Sequence, residues 1–186
     1  APALVGKHGT TTYGQLADAA ARLAAGLAAD GVSPGDRVAL VAGNDEAFVA
    51  GYLAVLHAGA TCAPLNPGSP PAALEAELAT VEPRLTLAAG SCAPVVTAAS
   101  HAVRTIDLDD LPATAATLTE RSGDDVAVLL FTSGTAGRPR AAQLTHANLA
   151  ANIAEVQGHA GLAVEPSDVT LGALPFFHIF GLNVVL

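Results

Sequence analysis

The sequence VAVLLFTSGTAGRPRAAQLTHANL, residues 126–149, predicts a strand, a glycine-rich loop and the start of a helix. The apolar run at 126–131 is typical of a strand buried in a sheet. The loop at 132–137 contains only glycine, alanine, serine and threonine, and Arg138 and Arg140 come after it. A helix is predicted to begin near Thr145. Backbone N–H groups, hydroxyls and cations at the end of a strand suit a polyphosphate, so this stretch indicates a phosphate site.

The composition predicts one good-sized domain, or two small ones, with an ample core. The 186 residues are 51% hydrophobic and only 13% charged. The net charge of −9 excludes non-specific nucleic-acid binding, which needs a cationic face. Cys62 and Cys92 are too few for a disulfide framework or a zinc site, and we interpret both as core or near-surface residues.

The two ends of the sequence indicate a piece of a longer, cytoplasmic protein. No stretch approaches the roughly 18 continuous apolar residues of a membrane helix, and the N-terminus lacks the pattern of a signal peptide. The sequence does not begin with methionine and stops in an apolar run at 182–186. Because such an end leaves apolar surface uncovered, we expect a missing C-terminal remainder, and self-association through the truncated edge is a second prediction.

Helical and strand patterns alternate along the chain, which predicts an α/β fold with mostly parallel sheets flanked by helices. The predicted helices cover 14–30, 45–57, 72–80 and a segment from about 145 to 159, and the predicted strands cover 37–42, 61–65, 85–88, 103–108, 126–131 and 169–174. We expect a boundary between a first lobe, residues 1–115, and a second lobe, residues 116–186, which carries the glycine-rich loop.

Two common nucleotide-binding motifs are excluded. The GxxxxGK[ST] pattern fails because, counted from Gly134, its second glycine falls on Pro139 and its lysine on Arg140. A GxGxxG fingerprint is absent. The simplest non-functional interpretation of the loop is a flexible surface turn.

At this loop the sequence resembles the adenylate-forming enzymes, which comprise acyl-CoA synthetases, luciferases and peptide-synthetase adenylation domains. Their signature has the form TSGTTGxPKG, followed shortly by SHxN, and Ala136, Arg140 and Ala141 depart from it. The residues that match are Thr132, Ser133, Gly134, Thr135, Gly137 and Pro139. Four other segments agree with the family in the same order: TYGQL at 12–16, GVSPGDRVAL at 31–40, LAVLHAGATCAPLNP at 53–67 and LPFFHIFG at 174–181.

The resemblance implies an incomplete N-terminal domain of an enzyme that uses ATP with Mg²⁺. Such an enzyme activates a carboxylic acid as an acyl-adenylate and passes the acyl group to CoA or to the phosphopantetheine of a carrier protein. The apolar segment PFFHIFG at 175–181 favours a fatty or other apolar acid. The later family elements, of the forms YGxTE and TGD, are absent, so we expect the 186 residues alone to be inactive. The alternative is a non-catalytic α/β module that binds a nucleotide or a partner.

The resemblance also implies roles for individual residues. The ATP phosphates would be held by Thr132, Ser133, Gly134, Thr135, Ala136, Gly137 and Arg140. Arg140 would balance the charge that develops on pyrophosphate. His178 would position the carboxylate for attack on the α-phosphate, and Phe177 and His178 would form the edge of the acyl pocket. Without the resemblance, His178 would be interpreted as a core histidine. We predict no protein-held metal site.

Overall fold

A computed structural model of the chain describes residues 1–6, 9–92, 96, 102–132, 139–159, 161, 165 and 167–185. The strands are β1 (Pro2–Gly6), β2 (Gly9–Thr12), β3 (Arg37–Val41), β4 (Thr61–Leu65), β5 (Leu85–Ala89), β6 (Val103–Ile106), β7 (Val126–Thr132) and β8 (Arg140–Thr145). The helices are α1 (Tyr13–Ala29), α2 (Glu46–His57), α3 (Pro71–Val81) and α4 (His146–Gly158), and a π-helical turn spans Gly181–Val185.

Six of the strands form one sheet in the order β6-β5-β3-β4-β7-β8. All neighbours in it are parallel except β7 and β8, which form an antiparallel hairpin. β1 and β2 form a separate antiparallel pair. The predicted α/β class with a mainly parallel sheet is therefore confirmed. The division at residues 115 and 116 stays a prediction.

Helices cover both faces of the six-stranded sheet. On β3, Val38 and Leu40 belong to the cluster that includes α1 and α2, whereas Ala39 and Val41 pack with α3. Side chains alternate between the faces of a strand, so a strand covered on both faces must be apolar throughout. This explains why residues 38–41 are all buried.

Local capping chemistry fixes the helix ends near the sheet. Thr12 and Gln15 form a reciprocal capping box at the start of α1. Gly31, which follows the end of that helix, has φ +84°, a conformation that favours glycine. Asp45 caps α2 by accepting a hydrogen bond from the Phe48 backbone N–H at 3.3 Å.

The prediction of a strand at 169–174 is wrong. These residues adopt no strand, and Val169 and Leu171 are 87% and 84% exposed. An apolar run indicates strand propensity, but a strand also needs a neighbour that satisfies its backbone, and no described strand pairs with this run. The opposite error occurred at β8, where no strand was predicted. The described helices include none with the length and apolar character that a membrane span requires.

Candidate functional site

The β7–β8 hairpin brings the two ends of the glycine-rich loop together. Thr132, the last residue of β7, is the cross-strand partner of Arg140, the first residue of β8. The Thr132 hydroxyl lies 3.5 Å from the main-chain oxygen of Arg140, and both residues are exposed. Residues 133–138 lie outside the described residues. Five of the predicted phosphate ligands are among them: Ser133, Gly134, Thr135, Ala136 and Gly137.

The loop begins at the carboxyl edge of the parallel strands. β3, β4 and β7 run in the same direction, so Asn44, Asn66 and Thr132, which follow or end these strands, lie at one edge of the sheet. In open α/β sheets, ligands bind outside the carboxyl ends of the strands. The hairpin therefore presents a hydroxyl and a guanidinium where this architecture places ligands.

His178 lies in a turn of a segment that leads into the π-helical turn. Its N–H donates to the Pro175 carbonyl at 3.0 Å, and its own carbonyl accepts from the Leu182 N–H at 2.9 Å. The imidazole stacks on Phe180, with ring centroids 6.2 Å apart and planes 5° apart. His178 is exposed, which does not fit a core histidine. Its ring is therefore accessible to a ligand.

The two phenylalanines before His178 attach the segment to the core. Phe176 is 7% exposed, and its ring centroid lies 5.6 Å from that of Phe48 in α2. Phe177 is half-buried and packs against the same hydrophobic cluster. Since Phe177 and Phe176 point into protein, His178 is held at the surface between buried aromatic rings and the π-helical turn.

Asn44 is a residue of the site that the sequence patterns did not point to. Asp45 makes the cap, whereas the Asn44 side chain bonds to the main chain of the segment that leads to His178. The segment is therefore held at the carboxyl end of β3. One strand, β4, separates β3 from β7, so the two anchoring points lie about 10 Å apart across the sheet. The sequence signal was an asparagine directly after a buried parallel strand.

A cavity of about 320 Å³ lies between α4 and the residues that follow His178. Its lining combines apolar side chains with three asparagines: Leu144, Asn148, Leu149, Asn152, Ile179, Phe180 and Asn183. Asn183 donates to Asn152 at 2.5 Å, which joins the π-helical turn to α4. The volume is within the range of small-molecule pockets.

The described residues contain no group of three histidine, cysteine, aspartate or glutamate side chains that could hold a metal ion. The arrangement that remains is a hydroxyl and a guanidinium at the ends of a glycine-rich loop, an exposed imidazole on a segment held at the carboxyl end of β3, and a mostly apolar cavity beside α4. Such a site can stabilise phosphate charge and receive an apolar group beside it.

Comparison with known proteins identifies the family. The family of AMP-binding enzymes matches residues 1–186, and the chain belongs to that family. Among curated relatives, the chain is 36% identical over 192 residues to a feruloyl-CoA synthase from Amycolatopsis sp, covering 96% of the chain and 37% of that protein. It is 33% identical over 189 residues to an oxalate–CoA ligase from Arabidopsis thaliana, covering 92% of the chain and 36% of that protein.

A solved structure confirms the fold. The chain resembles ATP-bound MatB from Rhodopseudomonas palustris with a TM-score of 0.84 and 31% identity, covering 99% of the chain and 39% of that protein. The chain thus spans somewhat over a third of the length of these relatives. The resemblance to adenylate-forming enzymes, inferred from the glycine-rich loop, is confirmed.

Proposed function

We propose that this chain is part of an ATP-dependent acid–thiol ligase that activates a carboxylic acid as acyl-AMP and transfers the acyl group to CoA or a carrier-protein thiol. The observation that carries the proposal is the cross-strand pairing of Thr132 with Arg140 at the carboxyl edge of β7. This pairing closes a loop whose sequence matches the phosphate signature of the family. Membership of the AMP-binding family supports the same reaction class.

In the first step, a carboxylate oxygen of the acid attacks the α-phosphorus of ATP. The new bond is an acyl–phosphate bond, and the bond from the α-phosphorus to the bridging oxygen breaks, releasing pyrophosphate. Negative charge therefore grows on the leaving pyrophosphate. We assign the neutralisation of that charge to Arg140 and the hydrogen bonds to the phosphates to Thr132, Ser133 and Thr135 with the loop amides at Gly134, Ala136 and Gly137.

In the second step, a thiol sulfur of CoA or of phosphopantetheine attacks the acyl carbonyl and AMP leaves. The thiol proton is released in the same step. No described residue is assigned to this transfer. Mg²⁺ would accompany ATP, and an exposed hydroxyl at Thr132 is compatible with a metal-bound triphosphate, although the described residues supply no carboxylate cluster to hold the ion.

We assign His178 to the positioning of the acid carboxylate, with Phe177 at the edge of the acyl pocket. Exposure of the imidazole supports this assignment. The cavity is lined by the next two residues of the segment, Ile179 and Phe180, and not by His178 or Phe177 themselves. The leucine, isoleucine and phenylalanine side chains of the cavity favour a fatty or other apolar acid. The lining also includes three asparagines, so an acid panel should include both aliphatic and hydroxyaromatic acids.

The test is ATP–pyrophosphate exchange by the complete protein that contains this sequence, with a panel of acids. We expect Arg140→Ala to lower the exchange rate about a hundredfold, because one lost charge partner at a developing anion has effects of that order. Arg140→Lys restores the residue of the family signature and should retain exchange.

The matched control is Arg37→Ala. Arg37 is an exposed arginine at the start of β3 whose guanidinium lies 3.5 Å from the Glu82 carboxylate, and an exposed pair of this kind contributes little to stability. Exchange at the same rate in Arg140→Ala and the unmodified protein would make Arg140 a solvated loop charge. ATP binding without exchange for any acid would favour the alternative, a non-catalytic nucleotide-binding module.

His178→Ala provides a second, independent test. Because the imidazole is exposed, its removal should change the free energy of unfolding by no more than about 0.5 kcal/mol. The rate of pyrophosphate exchange should nevertheless fall by much more than this small loss of stability explains. Equal losses of stability and of activity would instead assign His178 a structural role.

Several further predictions belong to this proposal. We expect the 186 residues alone to catalyse no exchange, and robust turnover would contradict this. The two-lobe division at residue 115, the cytoplasmic location and self-association through the end of the chain also stay predictions, which limited proteolysis, cell fractionation and sedimentation would test.

A further inference from the structure

The side-chain amide of Asn44 contacts three main-chain groups of the segment that precedes His178. Its Nδ2 donates to the Leu174 carbonyl at 2.6 Å and to the Gly172 carbonyl at 3.3 Å. Its Oδ1 accepts from the Phe176 N–H at 2.8 Å. The three groups belong to every second residue of the segment. The Asn44 side chain therefore makes the hydrogen bonds that a neighbouring strand would make, and no described strand pairs with residues 172–176.

This pattern of donors and acceptors requires an amide. Two carbonyls need a donor and one N–H needs an acceptor, which fixes the orientation of the amide group. Aspartate has the same shape but only acceptors when ionised, so it would keep the partner of Phe176 and repel the carbonyls of Gly172 and Leu174. The site is therefore specific for asparagine at position 44.

The segment has little else to hold it on its N-terminal side. Val169 and Leu171 are almost fully exposed, and Leu174 is 46% exposed. Burial begins only at Phe176, which packs on Phe48 one turn into α2. Hydrogen bonds rather than apolar contacts therefore fix residues 172–175.

Asn44 itself is attached to the buried core of the sheet. It lies between Val41, the fully buried last residue of β3, and Asp45, the cap of α2. A group on such a support is held more accurately than one on a loop alone. The last residue of the segment that Asn44 contacts is Phe176, and His178 follows two residues later.

We infer that Asn44 is a positioning residue: it sets the place of His178 relative to the carboxyl edge of the sheet through its three bonds to residues 172–176. The inference rests on the proposed function for its catalytic consequence, but the anchoring itself is a structural statement. Asn44 does not contact the reacting atoms in this role and acts only through the main chain of the segment.

The experiment compares Asn44→Ala and Asn44→Asp with Asp107→Ala. Asp107 follows β6, at the far side of the sheet, and its carboxylate accepts from the Asp109 N–H at 3.0 Å within its own turn. Amide hydrogen exchange is measured on the complete protein that contains this sequence. Exchange at Phe176 should be about tenfold faster in Asn44→Ala, because a hydrogen bond to a side chain is lost, and unchanged in Asp107→Ala.

The catalytic arm uses the complete protein. In both Asn44 variants kcat for pyrophosphate exchange should fall about tenfold or more and KM for the acid should rise, while KM for ATP stays within about twofold, since the phosphate loop is on another strand. A merely structural role would instead lower the amount of folded enzyme and leave both KM values unchanged.

Two results would overturn the inference. The first is unchanged hydrogen exchange at residues 172–178 in Asn44→Ala. The second is faster hydrogen exchange with kcat and both KM values equal to those of the unmodified protein. If the unmodified protein catalyses no exchange with any acid, the proposed function falls, whereas the hydrogen-exchange arm still decides whether Asn44 anchors the segment.

Discussion

Substitution of Gly181 by alanine should displace the turn that contains His178. A Cβ atom at position 181 would lie 2.1 Å from the Pro175 carbonyl oxygen and 2.5 Å from its carbon. Both atoms are backbone, so no side chain can rotate out of the way. The carbonyl must retreat by about 1 Å before the contact becomes tolerable.

That movement breaks a defined hydrogen bond. The Pro175 carbonyl accepts from the His178 N–H at 3.0 Å, so a shift of this size removes the bond that closes the turn. Overpacking of this kind typically costs about 1–3 kcal/mol. With a urea m-value of about 2 kcal/mol/M, the unfolding midpoint should fall by about 0.5–1.5 M. Displacing His178 by about 1 Å should lower pyrophosphate exchange by about a hundredfold.

Urea unfolding and amide hydrogen exchange of the chain measure the structural effect, and pyrophosphate exchange by the complete protein measures the catalytic one. Gly14→Ala is the control, because a Cβ atom there meets nothing within 4 Å in α1. It should be neutral or stabilise by up to about 1 kcal/mol. The reasoning is refuted if Gly181→Ala matches Gly14→Ala in unfolding midpoint and keeps the His178 amide protected.

Two further predictions concern buried and paired charges. Burial raises the pKa of Glu77, whose Oε2 has no hydrogen-bond partner among the described residues. A raised pKa means that stability falls as pH rises through the folded-state pKa, so Glu77→Gln should raise the urea midpoint at pH 7, and a midpoint that falls would contradict this. The hydrogen bond from Arg104 lowers the pKa of Asp30. The stability from this pair should be present above pH 4 and lost as pH falls through the lower folded-state pKa, so Asp30→Asn should destabilise at pH 7 and lose that effect in acid.

Much of the fold followed from local signals. The strand at 126–131 and the helix start at Thr145 were predicted because a continuous apolar run and a capping threonine act over a few residues. The end of α1 was predicted at residue 30 and lies at Ala29, since the left-handed conformation of Gly31 stops the helix locally.

The features that were missed depend on distant partners. β8 has an alanine-rich, polar sequence, and it is a strand because β7 lies beside it. Residues 169–174 have strand propensity but no strand beside them among the described elements. Asn44 bonds to residues about 130 positions away, as in its contact with Leu174, so no local pattern could show it. At the candidate site, the loop and His178 stay predictions from the sequence, and the structure adds the hairpin that joins the ends of the loop and the Asn44 contacts to the segment before His178.

The antiparallel hairpin also has a consequence for how the chain folds. Residues 66–125 separate β4 from β7, whereas only residues 133–139 separate β7 from β8. Closing a short loop costs less chain entropy than joining distant parallel strands. The β7–β8 pair should therefore form early and join the sheet afterwards. On this order of events the two ends of the glycine-rich loop meet before the rest of the sheet exists, and an error in pairing Thr132 with Arg140 would be carried into every later step.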